Sequence, residues 1–173
     1  MDPAGTFAPS IVAATESDLP AISALAGVIW RACYPGIIPE AQIDYMLARM
    51  YSLETLRAEI RTGGIRYNRL MAGNLFGGFS ACGPEGGEGV FKLHKLYLLP
   101  ALHGRGLGSL LIRRCEEQVR ERGGRRLVLH VNKRNRNAIA AYERNGFARA
   151  AEIVTDIGGG FVMDDYLMAK DLG

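Results

Sequence analysis

The first third of the chain places apolar residues at helical spacing. A short apolar run at 10–14 predicts a strand, and residues 16–34 then repeat an apolar side chain every three or four positions, which predicts an amphipathic helix. The stretch YPGIIP breaks this helix. A second helical pattern covers 40–61, and we expect it to kink near Ser52 before a pair of glycines ends it.

In the rest of the chain, the spacing of the apolar residues changes. Three short segments that contain aromatic residues and are separated by glycines predict consecutive antiparallel strands, at 65–73, 75–83 and 89–100. The pattern then predicts an amphipathic helix, a buried strand, a short helix and a closing pair of strands, at 107–124, 125–132, 136–146, 151–157 and 161–172. This order predicts a single α/β domain over 1–173, a mixed sheet of six or seven strands with about four helices on both faces, after a loose lead-in at 1–9.

Composition narrows the classes of function. The chain has 173 residues, of which 48% are hydrophobic and 23% charged, as expected of a soluble globular protein. A net charge of +3 is too small to indicate a nucleic-acid partner. We expect no membrane partner either, because the N-terminal segment lacks a signal-peptide pattern and no apolar run reaches the ~20 residues of a membrane span.

The three cysteines, Cys33, Cys82 and Cys115, lie far apart and form no CxxC pair. Their spacing predicts no metal site and no disulfide framework, and reduced thiols favour a cytoplasmic location.

The segment LHGRGLG at 102–108 concentrates three glycines between a predicted strand and a predicted helix. It lacks the GxxxxGK pattern of P-loop proteins, and the dinucleotide-binding pattern GxGxxG fails because Ser109 stands where its third glycine is required. Two interpretations remain. Free amides at the start of a helix form a site for a phosphate or pyrophosphate, whereas a tight strand-to-helix turn needs the glycines for its conformation alone.

Two segments together resemble the hallmarks of the GNAT N-acetyltransferase superfamily. LYLLPALHGRGLGSLLI is similar to its motif A, Q/R-x-x-G-x-G/A after a strand, with the Gln/Arg position and the two small residues filled by His103, Gly106 and Gly108. LHVNKRNRNAIAAYERNGF resembles the second hallmark, NxxAxxxYxxxGF, whose fixed positions are here Asn135, Ala138, Tyr142, Gly146 and Phe147. The two segments lie in the family's order and cover about 90–147.

The resemblance implies a mostly antiparallel GNAT sheet, splayed at its middle, that binds acetyl-CoA as co-substrate and uses no metal. In this family the glycine loop binds the coenzyme diphosphate, here His103, Gly104, Arg105, Gly106, Leu107, Gly108 and Ser109. A bulge in the preceding strand frees amides for the pantetheine arm and the acetyl carbonyl, here at Leu96, Tyr97 and Leu98. Asn135 and Tyr142 complete the implied coenzyme site.

The resemblance also implies catalytic groups. Tyr142 stands at the family position whose phenol acts as general acid beside the coenzyme sulfur. The general base remains open between His94, His130 and an ordered water molecule, because histidine with a pKa near ~6.5 accepts a proton at neutral pH. Strict strand alternation would place Lys92, His94 and Leu96 on one face, with Leu93, Lys95 and Tyr97 on the other.

The acceptor side of such a fold is built from the first two helices and the last two strands. Trp30 and Tyr34 are candidates for the pocket wall, although core packing explains them equally well. Asp156, Asp164 and Asp165 are candidates for attracting a cationic amine, although a solvated hairpin explains them too. The resemblance therefore implies an acyltransferase that moves an acetyl group to a primary amine of a small, possibly polyamine-like molecule, by direct attack through a tetrahedral intermediate. A protein or peptide N-acetyltransferase and an acetyl-CoA-binding regulatory protein remain alternatives, and homodimers are common in the family.

Overall fold

The computed structural model describes residues 8–173, and this part of the chain forms seven strands and five α-helices. The strands are β1 Pro9–Ala13, β2 Arg66–Ala72, β3 Leu75–Pro84, β4 Val90–Leu98, β5 Arg126–Asn132, β6 Ala148–Gly158 and β7 Phe161–Asp171. The helices are α1 Leu19–Cys33, α2 Glu40–Met50, α3 Leu53–Arg61, α4 Leu107–Glu121 and α5 Arg136–Arg144. Of the predicted lead-in at 1–9, residues 1–7 lie outside the described residues, and Pro9 already begins β1.

The strands form one sheet in the order β1-β2-β3-β4-β5-β7-β6. Each neighbouring pair is antiparallel except β4 and β5, which run parallel. The predicted fold class is therefore confirmed. The expected kink near Ser52 is a full break, because the Ser52 hydroxyl accepts a hydrogen bond from the Thr55 amide (3.2 Å) and starts a separate helix, α3.

The helices cover the two faces of the sheet and form two main cores. The core on one face joins α1, α2 and α3 to strands β2 and β3, through a cluster that includes Ile22, Trp30, Ile43, Leu56, Tyr67 and Phe79. The core on the other face joins α4 and α5 to β4, β5 and β7, through a cluster that includes Phe91, Leu93, Ile112, Val119, Leu129, Ile139 and Met168. Residues of both clusters are almost fully removed from water, which supplies the main stabilisation of the fold.

Strands β4 and β5 separate soon after they meet. They pair only at Val90–Arg126, Phe91–Leu127 and Lys92–Val128, although β4 continues to Leu98 and β5 to Asn132. The predicted splay is thus present, and it opens a cleft between the two strands. Beyond the last paired residue, those amides of β4 that point toward β5 face this cleft and have no strand to pair with among the described residues.

A bulge in β4 lies where the separation begins. Across β3 and β4, Ala81 pairs with Lys95 and Cys82 pairs with Leu93, which leaves His94 as the extra residue. An extra residue bends the strand and increases its twist. The bulge therefore explains why β4 turns away from β5.

The bulge also corrects the strict alternation expected for this strand. Leu93 packs into the core against α4 and α5, whereas Tyr97 packs against the α1–α3 core and Lys95 reaches Glu59 of α3. Leu93 therefore does not share a face with Lys95 and Tyr97, because the extra residue reverses the alternation after it.

Strand β3 approaches β4 closely at Leu98, four residues beyond the bulge, and glycine permits that approach. A Cβ atom added at Gly78 would lie 2.6 Å from the carbonyl oxygen of Tyr97. We expect Gly78→Ala to lower the free energy of unfolding by about 1–3 kcal/mol. Gly27→Ala is the matched control, because a Cβ there meets nothing within 4 Å and alanine favours the helix. Chemical denaturation of both variants measures the difference, and equal stability would contradict the close approach.

Candidate active site

The glycine loop joins β4 to α4 through a short 3-10 turn at Pro100–Leu102. Gly104 and Gly106 both have φ of +73°, the left-handed conformation, and a Cβ atom at either would meet nothing within 4 Å. The glycines are therefore required by the turn, and the space beside them is open. Gly106 is the N-cap residue of α4 and has no side chain that could cap the helix, so the first amides of α4 remain free for an anion.

The side chains around this loop hold it in place. The ring nitrogen Nε2 of His103 lies 2.9 Å from the carbonyl oxygen of Leu98, which ties the loop to the end of β4. Arg105 is exposed beside the two glycines. Leu107 packs into a third small core with Leu102 and Leu111 and fixes the start of α4. The open edge of β4 leads through this loop to the helix, so these residues fit an extended ligand that ends in a diphosphate.

Helix α5 begins across the cleft. The side-chain oxygen of Asn135 accepts a hydrogen bond from the Ala138 amide (3.3 Å), so Asn135 caps the helix. Tyr142 lies on the helix face that meets the sheet, with its ring centroid 5.8 Å from that of Phe147. Burial raises the pKa of the Tyr142 phenol, with a smaller contribution from Cys115. The phenol therefore stays protonated at neutral pH and can donate a hydrogen bond or a proton.

Several polar side chains lie beside the splay, on the sheet face that α1–α3 cover. The strand register and the bulge place six residues there: Lys92, His94, Lys95, Tyr97, His130 and Asp165. Lys95 is 3% exposed, and its ammonium lies 2.7 and 2.8 Å from the two carboxylate oxygens of Glu59. The Tyr67 hydroxyl also donates to Glu59. Lys92 has no ion-pair partner among residues 8–173.

Both histidines near the cleft are neutral at physiological pH. Burial, followed by the charges of Lys92 and Lys95, lowers the pKa of His94 to about 4, and its Nε2 has no hydrogen-bond partner in the described part of the chain. His130 is more exposed, and burial together with Lys92 lowers its pKa as well. A neutral imidazole can accept a proton, but a lowered pKa makes it a weaker base.

The three candidate aspartates have different surroundings. Asp156 accepts a hydrogen bond from the Gly158 amide (2.8 Å) in the hairpin turn and is exposed. Asp164 lies 2.7 Å from the ammonium of Lys133, on the opposite sheet face, which α4 and α5 cover. Asp165 is 2% exposed, and its Oδ1 has no hydrogen-bond partner among the residues described. Of the three, only Asp165 lies on the cleft side of the sheet.

The aromatic candidates belong to one cluster next to the cleft. The Trp30 ring centroid lies 4.5 Å from that of Tyr34 and 5.7 Å from that of Tyr97. Trp30 is 1% exposed. It therefore packs beneath the candidate wall of the acceptor pocket and does not form part of the surface of that wall. The hydroxyl of Tyr34 lies 3.5 Å from that of Tyr97. Burial raises the pKa of Tyr34, and the nearby charge of Asp165 adds to the effect.

A cavity of about 590 Å³ lies under the connection between α1 and α2; its lining is Arg31, Pro35, Gly36, Ile37, Ile38, Pro39, Glu40, Ile43 and Arg134. Arg134 donates a hydrogen bond to the carbonyl oxygen of Ile37 (3.2 Å), which joins this connection to the loop after β5. The sequence interpretation missed Arg134. The basic run NKRNRN was its only signal, and basic runs are more often solvated turns.

Two further observations concern metal sites and membrane-spanning helices. Within 8–173, no group of three or more His, Cys, Asp or Glu side chains is arranged to hold a metal ion. No helix in this part of the chain is long and apolar enough to cross a membrane.

The family model described as "Acetyltransferase (GNAT) family" matches residues 29–147. This chain therefore belongs to the GNAT acetyltransferase family. YjgM, an uncharacterised N-acetyltransferase of Escherichia coli, is 38% identical over 76 residues, which are 43% of this chain and 46% of that protein. The match thus spans less than half the length of this relative.

Solved structures share the fold over nearly the whole chain. The PaiA N-acetyltransferase of Thermoplasma acidophilum, crystallised with coenzyme A, gives a TM-score of 0.79 at 25% identity and covers 95% of this chain and 99% of that one. An acetyltransferase of Salmonella typhimurium with its cofactor acetyl-CoA gives a TM-score of 0.67 at 21% identity, over 96% and 95% of the two chains. The second likeness supports the fold alone.

The burial of the Asp165 carboxylate leads to a prediction about how the free energy of unfolding depends on pH. Burial, followed by the charge of Asp164, raises its pKa from 3.8 to about 6, so the ionised form is disfavoured in the folded state. This penalty is fully present above about pH 6 and absent below about pH 4. We expect Asp165→Asn to raise the free energy of unfolding by about 1–3 kcal/mol near pH 8 and to have little effect near pH 4.

Urea denaturation at the two pH values measures this difference. Asp171→Asn is the control, because Asp171 is on the same strand but its side chain is 76% exposed, and a surface ion pair contributes little. A loss of stability in Asp165→Asn near pH 8 would show that the carboxylate has a stabilising partner after all.

Proposed function

We propose that this chain is an N-acetyltransferase that transfers the acetyl group of acetyl-CoA to a primary amine of a small molecule. One observation carries the proposal: the unpaired edge of β4 leads directly into a glycine loop and a helix start whose amides are free. Such an edge and loop would have no purpose in a purely structural domain. Acetyl-CoA, when bound, would supply an acetyl thioester at the mouth of the cleft.

The binding residues would act mainly through the backbone. The amides of 104–109 would hold the diphosphate, and the exposed guanidinium of Arg105 would add positive charge beside it. The amides of Leu96, Tyr97 and Leu98 that point into the cleft would hold the pantetheine arm and polarise the acetyl carbonyl. Asn135 would keep the start of α5 in place beside that arm.

Tyr142 would supply the proton for the leaving thiolate. Its position on the inner face of α5 supports this role, and its raised pKa means that the phenol is fully protonated at neutral pH. The packing of its ring against Phe147 is compatible with this role, since packing fixes the direction of the hydroxyl.

A small acceptor suits the cavity next to the cleft. Its volume of about 590 Å³ is in the range of pockets that enclose small molecules. Arg134 of the loop after β5 lines this cavity and donates a hydrogen bond to Ile37 of the α1–α2 connection, so the cavity lies next to the end of β5. For the proton acceptor, His94, His130 and an ordered water molecule remain the candidates from the sequence.

The glycine loop can be tested by binding. We expect Gly106→Val to weaken acetyl-CoA binding by at least about tenfold, because valine is strained at positive φ and its side chain would occupy the space that the diphosphate needs. Gly86→Val is the control, since Gly86 has a positive φ (+65°) and open surroundings but lies in the β3–β4 turn. Isothermal titration calorimetry of both variants decides the matter: equal affinities would refute the assignment of this loop.

Tyr142 can be tested by turnover. We expect Tyr142→Phe to lower kcat by about 10²-fold or more with unchanged acetyl-CoA affinity, because only the proton donor is removed. Release of free thiol, measured over a panel of primary amines, gives kcat. If wild type and variant release thiol equally fast with every active amine, Tyr142 is a packing residue. Acetyl-CoA binding without thiol release from the wild type would instead indicate a regulatory protein.

A further inference from the structure

Three charged side chains are almost fully buried in the described part of the chain: Lys95, Glu116 and Asp165. Lys95 is paired with Glu59, and Glu116 lies 2.5 Å from the ammonium of Lys170. Asp165 has no ion-pair partner within residues 8–173, and its Oδ1 has no hydrogen-bond partner there. A buried charge is expected to be paired. Lys95 and Glu116 meet this expectation, whereas Asp165 does not.

The strand register places Asp165 beside the splay. On β7, Asp165 stands opposite Asn132, the last residue of β5. It shares its face with His130 of β5 and with Lys92 of β4. On the same strand, Met163 packs against the α1–α3 core, which fixes the direction of this face. The side chain of Asp165 therefore lies on the sheet face that α1–α3 cover.

We propose that Asp165 binds the ammonium group of the acceptor and then accepts its proton. The proposal rests on the proposed function and names a catalytic residue for it. A cationic primary amine would give the buried carboxylate a positively charged hydrogen-bond donor. In the proton transfer, one N–H bond of the ammonium breaks and an O–H bond forms on Asp165. The electron pair left on nitrogen is then free to attack the acetyl group, and Asp165 later returns its proton to solvent.

The groups that face Asp165 suit this role. Burial, and to a smaller extent its neighbour Asp164, raises the pKa of Asp165, whereas Lys92 of β4 and Lys133 after β5 lower it in part. The charge of Asp165 is also felt by Tyr34, at the end of α1. A carboxylate whose pKa is raised and an amine whose pKa falls on burial come closer to each other in proton affinity, which eases the transfer.

The two histidines suit the role less well. His94 lies beside Lys92 and Lys95, whose positive charges would repel an approaching ammonium. Its pKa, at about 4, is also lower than the value of about 6 for Asp165. His130 is exposed to water, and burial together with the charge of Lys92 lowers its pKa as well.

The test measures kcat and KM for an amine that the wild type acetylates, between about pH 5 and pH 9. We expect Asp165→Asn to lower kcat/KM by about 10²-fold and to lose the acidic limb that the wild type shows near pH 6. Its acetyl-CoA affinity, measured by calorimetry, should be unchanged, and Asp165→Glu should recover part of the rate. Asp171→Asn should match the wild type. A folded Asp165→Asn that keeps near-full activity would overturn the proposal, as would loss of the limb in His94→Ala or His130→Ala instead.

A binding measurement separates this proposal from the proposed function. Titration of 1,4-diaminobutane into protein saturated with coenzyme A should give heat with the wild type and none with Asp165→Asn. If the wild type releases no thiol with any amine, the proposed function fails, and the proton-transfer role of Asp165 fails with it. If the wild type acetylates amines and Asp165→Asn binds and acetylates them equally well, only the role of Asp165 is wrong.

Discussion

The bulge at His94 is the local feature on which the rest of the site depends. One extra residue in β4 ends its pairing with β5 after three residue pairs and leaves its inner edge open. The same residue reverses the alternation of the strand, so that Leu93 lies in one core while Lys95 and Tyr97 enter the other. A regular strand here would close the sheet and bury the amides that a coenzyme needs.

Much of the fold is predictable from the sequence because its signals are local. Helical spacing, glycine pairs and the hallmark segments fix the elements and the loop at Gly106. The bulge had a signal too, which strict alternation overlooks: the apolar positions of β4 move from Phe91 and Leu93 to Leu96 and Leu98 across two adjacent polar residues. Such a change of phase is expected where one residue is added to a strand.

The acceptor side is less predictable because it depends on long-range register. Three aspartates near the last hairpin look equivalent in the sequence. Asp164 and Asp165 face opposite sides of β7, and Lys133, which neutralises Asp164, comes from a loop far away in the chain. No local sequence pattern indicates which carboxylate forms the ion pair with Lys133. The same reason hides Arg134, whose hydrogen bond to Ile37 joins two loops nearly a hundred positions apart.

The charges on the cleft face determine which end of the cleft suits which substrate. Glu59 neutralises Lys95, and burial, together with the charges of Lys92 and Lys95, keeps His94 uncharged. Among residues 8–173, the charges on this face that have no ion-pair partner are therefore those of Lys92 and Asp165. A thioester is neutral, and in the proposed function the backbone amides at the open edge of β4 would bind it. An amine acceptor is cationic in water, and it must lose that charge before it can react. In the proposed reaction, Asp165 on β7 would attract the cation and the amides of β4 would polarise the carbonyl, so the two groups would act on the reacting partners from opposite sides of β5.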